Sequence, residues 1–185
     1  ANTAFRQREV PVFIDGLNAT DFGQYINFAT VVLKKARDET SATVDEVRID
    51  RDNFQQKANN FKLVYTKLDD EATADFLDYD YQIFWSFFGG GQAGTEWQST
   101  SESAIAITPP LQRRSVFLEG APSALSDAGV RSVEFRLFYT IDGTEKSQRV
   151  SLRPDENGGI SETVNFMLPP DVYGYEYELS WRLNG

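Results

Sequence analysis

YDYQIFWSFFG (residues 79–89) and YEYELSWRLNG (residues 175–185) share the pattern Tyr-x-Tyr-x-(Ile/Leu)-x-Trp-x-(Phe/Leu)-x-Gly. Each matched position lies two residues from the next, which is the period with which side chains return to the same face of a β-strand. Six matched positions in register are poorly explained by coincidence. The pattern predicts that both stretches are β-strands and that the chain contains an internal duplication.

Further matched segments precede these two strands in the same order along the chain. They pair residues 12–16 with 116–120, 27–28 with 134–135, 47–49 with 150–152, and 60–63 with 165–168. Thr108-Pro109-Pro110 separates the two halves, and proline suits a junction better than the interior of a sheet because it lacks an amide donor. We therefore predict two tandem domains, residues 1–108 and residues 109–185.

The composition of the predicted strands favours an all-β fold. Val, Ile, Thr, Tyr and Phe recur in short runs bounded by turn-forming residues, as in β-sandwiches. Strands are expected near residues 9–14, 25–34, 44–50, 59–66, 79–88 and 97–107, and near residues 115–119, 131–141, 147–153, 161–168 and 175–183. Residues 26–37 also suit a helix, but their alternating, β-branched counterpart at 133–141 favours a strand. Asp142-Gly143 predicts a tight hairpin turn. The predicted fold is two antiparallel β-sandwiches related by duplication.

The strand near residues 97–107 has no counterpart in the second half, so the second domain is expected to lack its last strand. Three explanations are considered: that the chain is a fragment of a longer one, that the strand near residues 97–107 belongs to the second domain, or that another molecule supplies the missing strand. The first two explanations are favoured. Because an uncovered sheet edge is a template for pairing, an open edge beside residues 175–183 would promote dimerisation.

Residues 168–179 read LPPDVYGYEYEL. This stretch resembles the approach to strand F of fibronectin type III and related immunoglobulin-like domains, in which a Leu and a Pro precede a Tyr that opens an alternating strand. The resemblance covers this strand and the general number of strands, and the first half lacks the Pro. It implies an immunoglobulin-like sandwich and carries over no functional residue, because such folds host many unrelated roles.

The composition also excludes several classes of function. The 185 residues include no His and no Cys, which excludes zinc centres and His-dependent catalysis. Catalysis by a pair of carboxylates, as in glycosidases, is not excluded by this composition, but we predict that the chain is not an enzyme. A net charge of −10 argues against nucleic-acid binding. No apolar stretch reaches the roughly 20 residues that cross a bilayer. We expect an extracellular, periplasmic or cell-surface protein.

Two groups of residues are candidates for ligand binding. Asp69, Asp70, Asp75 and Asp78 crowd an acidic segment whose carboxylates suit Ca²⁺, although the spacing is not that of an EF-hand and a solvated loop is the simpler interpretation. Trp97 follows a glycine-rich loop and would suit a carbohydrate anchor, although a core residue at the start of a strand is the simpler interpretation. No other cofactor is predicted.

The two faces of the repeated strands lead to different expectations. In the second copy the Tyr, Leu and Trp side chains are expected in the core, because the opposite face is polar throughout: Glu176, Glu178, Ser180 and Arg182. In the first copy the opposite face includes Phe84 and Phe88. Apolar residues on both faces predict contact with the neighbouring domain or with a partner.

These observations predict a non-catalytic structural or binding module. Rigid sheets would present loops or a sheet edge to a protein partner or to neighbouring domains of a longer chain. A carbohydrate-binding module, with a polysaccharide as its ligand, is one alternative. A structural protein of a phage or virion is another.

Overall fold

The computed structural model describes residues 7–69 and 71–185, so that Asp70, one of the calcium candidates, lies outside the described residues. The chain divides into two compact units, Ala1–Pro109 and Pro110–Gly185, hereafter the first and the second unit. Most of the described residues are in β-strands and the helices are short. The prediction of an all-β protein is therefore confirmed.

The described part of the first unit contains two β-sheets whose apolar faces meet. Its elements are β1 (Gln7–Ile14), β2 (Ile26–Ala36), β3 (Ala42–Asp50), α1 (Arg51–Gln56), β4 (Phe61–Thr66), α2 (Thr73–Leu77), β5 (Tyr79–Phe87), β6 (Gln92–Gly94), β7 (Gln98–Thr100) and β8 (Ile105–Ile107). One sheet has the order β4-β1-β8, and the other has the order β3-β2-β5-β6 with β7 also paired to β5. Tyr65 of the first sheet and Tyr79 of the second lie in contact, with ring centroids 6.0 Å apart.

Residues 26–37 form a strand over most of their length, as predicted. Along β2 the buried side chains alternate with less buried ones from Ala29 onward, which is the period of two that a half-buried strand requires. β2 pairs with β3 on one side and with β5 on the other. It is therefore the central strand of its sheet.

The single strand predicted near residues 97–107 is wrong. Residues 98–100 pair with β5, whereas residues 105–107 pair with β1 in the other sheet. The chain thus crosses from one sheet to the other between β7 and β8. The pairing of β8 with β1 is parallel, which corrects the prediction of purely antiparallel sheets.

The second unit also contains two sheets. Its elements are β9 (Gln112–Gly120), α3 (Pro122–Asp127), β10 (Val130–Ile141), β11 (Thr144–Leu152), β12 (Ile160–Leu168) and β13 (Glu176–Leu183). One sheet has the order β11-β10-β13 and the other pairs β12 with β9. Phe166 of β12 contacts Tyr139 of β10 with ring centroids 5.7 Å apart, so that the two sheets share a core.

The hairpin between β10 and β11 confirms the predicted Asp-Gly turn. Asp142 and Gly143 both have positive φ angles, 47° and 70°, and they connect the opposed residues Ile141 and Thr144. Two adjacent residues with positive φ are the requirement of a type I′ turn, which Asp-Gly meets with little strain.

Candidate functional site

The repeated Tyr and Trp side chains of β13 face inward without being covered. Residues directly opposite one another in an antiparallel pair lie on the same face of the sheet, and the residues of β10 opposite the alternating apolar residues of β13 are buried. The pairs are Tyr177 with Leu137, Leu179 with Phe135, and Trp181 with Val133. Nevertheless, Tyr177 is 63% exposed, Trp181 54% and Leu183 60%. We call Tyr177, Leu179, Trp181 and Leu183 the inner stripe.

The expectation that the inner stripe is buried in the core is therefore wrong. The polar face of β13 did identify which side points outward, but it carries no information about what lies on the other side. In the first unit the comparable face of β5 is covered, and Trp85 is 3% exposed. The sheet opposite β5 has three strands, and its third strand, β8, contributes the buried residues Ile105 and Ile107. In the described part of the second unit the opposite sheet has only β12 and β9.

A crevice separates β9 from β13. It has a volume of about 70 Å³, and its walls are mainly apolar, with Leu118 and Gly120 on the β9 side and Leu179 and Trp181 on the β13 side. Along β9 the inward-facing Val116 and Leu118 are half-buried. No strand pairs with β9 on the edge away from β12 in residues 7–69 and 71–185. The second unit thus combines an open sheet edge with an uncovered apolar face.

Charged residues flank this apolar surface. Arg113 and Arg114 lie in the first part of β9, and the Arg114 guanidinium lies 5.5 Å from the centre of the Tyr173 ring. Glu176 and Glu178 are exposed on the outer face of β13. The cationic groups therefore lie toward the beginning of β9, whereas the crevice lies toward its end.

A cleft in the first unit is lined by a buried lysine, Lys35. This cleft has a volume of about 1010 Å³. The Lys35 ammonium is buried and lies 3.1 Å from Oε1 of Glu71. It donates hydrogen bonds to the backbone carbonyls of Asp75 and Asp78, the latter at 2.7 Å. Nη1 of Arg37 lies 3.7 Å from Oε2 of Glu71. The acidic segment is thus held to β2 by cations.

The ionisation of the groups in and beside this cleft fits a structural role. Burial by itself would raise the pKa of Glu71, but the hydrogen bond from the Leu68 amide and the neighbouring Lys35 and Arg37 outweigh it, and the pKa is lowered. Burial raises the pKa of Tyr79 to about 12. At neutral pH Glu71 is therefore ionised and Tyr79 is protonated, so neither exchanges a proton readily.

The calcium candidates do not gather around a common point. Asp69, Asp75 and Asp78 line the same cleft, but among the described residues no three acidic side chains are grouped as metal ligands would be. Asp75 and Asp78 instead offer their carbonyls to Lys35, and residues 73–77 form α2 where a loop was expected. Calcium binding stays a prediction.

Trp97 lies on the surface, so the expectation of a core residue at the start of a strand is wrong. The residue is 42% exposed, and the Lys34 ammonium lies 4.4 Å from the centre of its ring. A cation over an aromatic face is favourable, and it occupies one of the two faces on which a sugar ring could stack. The prediction of a carbohydrate anchor at Trp97 stays untested.

Phe84 and Phe88 are both exposed, as a surface for further contacts requires. Phe84 lies opposite Gly94 of β6, and a Cβ added to that glycine would be 3.3 Å from the Phe84 ring. The ring thus partly covers the backbone of its own sheet. Contact of Phe84 and Phe88 with the neighbouring domain or a partner stays a prediction.

Sequence reasoning missed the ion pair of Lys35 and Glu71, although β2 contains a signal for it. Lys35 continues the buried alternation of Val31 and Leu33, which places a charge at a core position. Such a lysine needs a partner because a buried unpaired charge is costly. The partner itself lies 36 residues away (71 − 35) and no local pattern identifies it.

No protein-family model matches the chain, and no curated protein sequence matches it significantly. In the described ranges no helix is long and apolar enough to cross a bilayer.

Proposed function

We propose that the chain is a non-catalytic binding module made of two immunoglobulin-like β-sandwiches that arose by duplication, and that the inner stripe of the second sandwich is its interaction surface. The observation that carries this proposal is the exposure of Tyr177, Trp181 and Leu183 on the inward face of β13. An extracellular, periplasmic or cell-surface setting stays a prediction.

The internal pairing of the two units supports the duplication. The strand orders β3-β2-β5 and β11-β10-β13 correspond, as do β4-β1 and β12-β9. β2 and β10 also share an irregularity in their pairing with β5 and β13, between Ile26 and Phe28 in one case and between Val130 and Ser132 in the other. A bulge at the same place in two sheets is a specific feature, because bulges are conserved within families.

The pairing changes two of the matches made from sequence. Phe61 lies opposite Val12 and Val164 lies opposite Val116, so Phe61 corresponds to Val164, whereas the sequence comparison had aligned it with Phe166. Trp85 lies opposite Ala29, and Trp181 lies opposite Val133. Aligning the two Trp residues therefore aligns Val31 with Phe135, whereas the sequence comparison had aligned Phe28 with Phe135. The order of the matched segments is unaffected.

The non-catalytic part of the proposal is supported by the available side-chain chemistry. The chain has no His and no Cys to act as a general base near neutral pH or as a nucleophile. The one carboxylate of the Lys35 cleft that contacts both cations, Glu71, has a lowered pKa and is engaged with them. An acid catalyst would need a raised pKa.

The inner stripe provides an apolar driving force for association. Complete burial of an exposed side chain of this size contributes about 1.5–3 kcal/mol. Contiguous exposed apolar side chains with a charged rim are typical of interaction sites on soluble proteins. Trp and Tyr are also enriched among the residues that dominate binding energy.

Photo-crosslinking tests this assignment. We expect p-benzoylphenylalanine placed at Tyr177 to form a covalent adduct with a partner when cells that naturally produce the protein are irradiated, because Tyr177 lies in the proposed surface. The adduct is detected by a shift on a denaturing gel and by mass spectrometry. Leu179→Lys in the same chain should reduce its yield, because a charge then has to be buried in the interface.

Val44 provides the matched control position, since it is an exposed apolar residue on β3 of the first unit. The same probe at Val44 is expected to give no adduct. Adducts of equal yield from both positions, or an adduct at Tyr177 that is insensitive to Leu179→Lys, would contradict the assignment of the inner stripe.

A further inference from the structure

We infer that the occupant of the inner stripe is an extended segment of another polypeptide, which adds to the open edge of β9 as a parallel strand and places alternate aliphatic side chains over Trp181 and Leu179. This inference rests on the proposed function and names the chemistry of its partner. Adding a strand to a free sheet edge is an established mode of peptide recognition.

The first unit shows what such a strand looks like. β8 runs parallel to β1, with Ile105 opposite Val12, Ala106 opposite Phe13 and Ile107 opposite Ile14. The Asp15 amide extends this ladder by donating to the Ile107 carbonyl at 2.8 Å. With β8 in place, Val12 and Ile14 are buried.

β9 has the same relation to its sheet as β1. Val12 of β1 lies opposite Phe61 of β4, and Val116 of β9 lies opposite Val164 of β12. The inward residues Val116 and Leu118 are only half-buried, as expected of a strand without the neighbour that β1 has. The position opposite Val116 is therefore the one that Ile105 occupies opposite Val12.

The alternation of the incoming strand follows from this register. A residue opposite Val116 and a second residue two positions later point toward the crevice that Leu179 and Trp181 line. Both need apolar side chains, and β-branched residues suit a pleated, half-buried surface. The residue between them lies opposite Phe117 and points to solvent.

The observed strand β8 specifies the length and the alternation of the incoming strand. Three residues of β8, Ile105, Ala106 and Ile107, pair with β1, and residues 101–104 lie outside the strand. The recognised sequence is therefore of the type Ile-x-Ile, with β-branched residues at the two inward positions.

Disulfide capture on the full chain tests the proposed register. The protein has no Cys of its own, so a single introduced thiol reports without background. The probe is a synthetic peptide of residues 101–109 that carries Ala106→Cys as its glutathione mixed disulfide, and the target is Phe117→Cys. Attack of the protein thiolate on the peptide sulfur releases glutathione. Residues paired across neighbouring strands meet the distance requirement of a disulfide.

The matched control is Phe13→Cys, because Phe13 occupies the corresponding position of β1, where β8 already fills the edge. Intact-protein mass spectrometry is expected to show capture at Phe117→Cys at least about tenfold faster than at Phe13→Cys, because binding raises the effective concentration of the peptide. Adding Ile105→Lys and Ile107→Lys to the peptide should remove this advantage without altering the protein.

A second pair of thiols reports the direction of the strand. With Ser115→Cys in the protein, a parallel peptide is captured through Ala104→Cys, whereas an antiparallel peptide in the same register is captured through Thr108→Cys. Preferential capture through Thr108→Cys, or equal rates at Phe117→Cys and Phe13→Cys, would overturn the inference.

Two further outcomes separate this inference from the proposed function. If the peptide is not captured while the crosslink at Tyr177 persists, the surface binds a partner that does not add a strand to β9. If sedimentation of the unmodified chain shows a dimer that Leu179→Lys dissociates, a second copy is the occupant and the separate polypeptide is excluded.

Discussion

Glu71→Gln lowers the free energy of unfolding of the first unit by about 1.5–3 kcal/mol. The substitution preserves the size of the side chain but removes the charge that faces Lys35 and Arg37. Lys35 retains the carbonyls of Asp75 and Asp78 as acceptors, yet its ammonium loses its counter-charge in a buried position. Removing one partner of a buried ion pair costs more than removing an exposed one because the remaining charge stays desolvated.

Hydrogen exchange in increasing urea measures this loss separately for each unit, since a chain of two compact units need not unfold in one step. The amides of β2 and β4 report on the first unit and those of β10 on the second. Glu46→Gln provides the control because Glu46 is exposed on β3. It should change the stability by less than about 0.5 kcal/mol. A similar loss in both variants would show that the Lys35 cleft has no special energetic role.

The dependence of this ion pair on pH has a definite sign. The pKa of Glu71 is lower in the folded protein than the ordinary value of 4.5. Its contribution to stability is therefore fully present above 4.5 and is lost as the pH falls through the folded pKa. We expect the difference in unfolding free energy between the unmodified chain and Glu71→Gln to be constant near neutral pH and to shrink in acid. A difference that grows in acid would contradict the lowered pKa.

Local pattern predicted the strands well because each strand alternates within its own sequence. The β-branched and aromatic composition of β10 correctly indicated a strand, and through the matched segment it also decided the ambiguous β2. The turn at Asp142-Gly143 was predictable for a related reason, since the two residues themselves supply the positive φ angles. These features depend on neighbours in the chain.

The burial of β13 was not predictable because it depends on strands that are distant in sequence. Alternation identifies the inward face of a strand but not whether a second sheet extends far enough to cover it. In β5 the inward face is buried, and in β13 a nearly identical pattern is exposed. The same limit applies to residues 97–107, whose two short strands join different sheets. A sequence pattern thus indicates which side chains need a cover, and the fold decides what provides it.

Trp85→Ala lowers the free energy of unfolding of the first unit by about 3–5 kcal/mol, whereas Trp181→Ala changes that of the second unit by less than about 1 kcal/mol. The two residues hold the same position in the repeated pattern and pair with the corresponding strands β2 and β10. Trp85 is buried, so that its loss leaves a cavity, while Trp181 is 54% exposed and its loss leaves little.

The comparison keeps the residue type and the corresponding partner strand the same, while β5 has β6 and β7 on its other edge and β13 lies at the edge of its sheet. Leu137→Ala, in the buried part of β10, is the control for the second unit. It should lower the free energy of unfolding of that unit by about 2–5 kcal/mol, as expected when a buried side chain is removed. A loss at Trp181 as large as that at Trp85 would mean that the inner stripe is already covered in the isolated chain. That result would contradict both the proposed interaction surface and the proposed added strand. A small loss of unfolding free energy in Trp181→Ala would show that Trp181 contributes little to folding. Its apolar surface is then available to a partner.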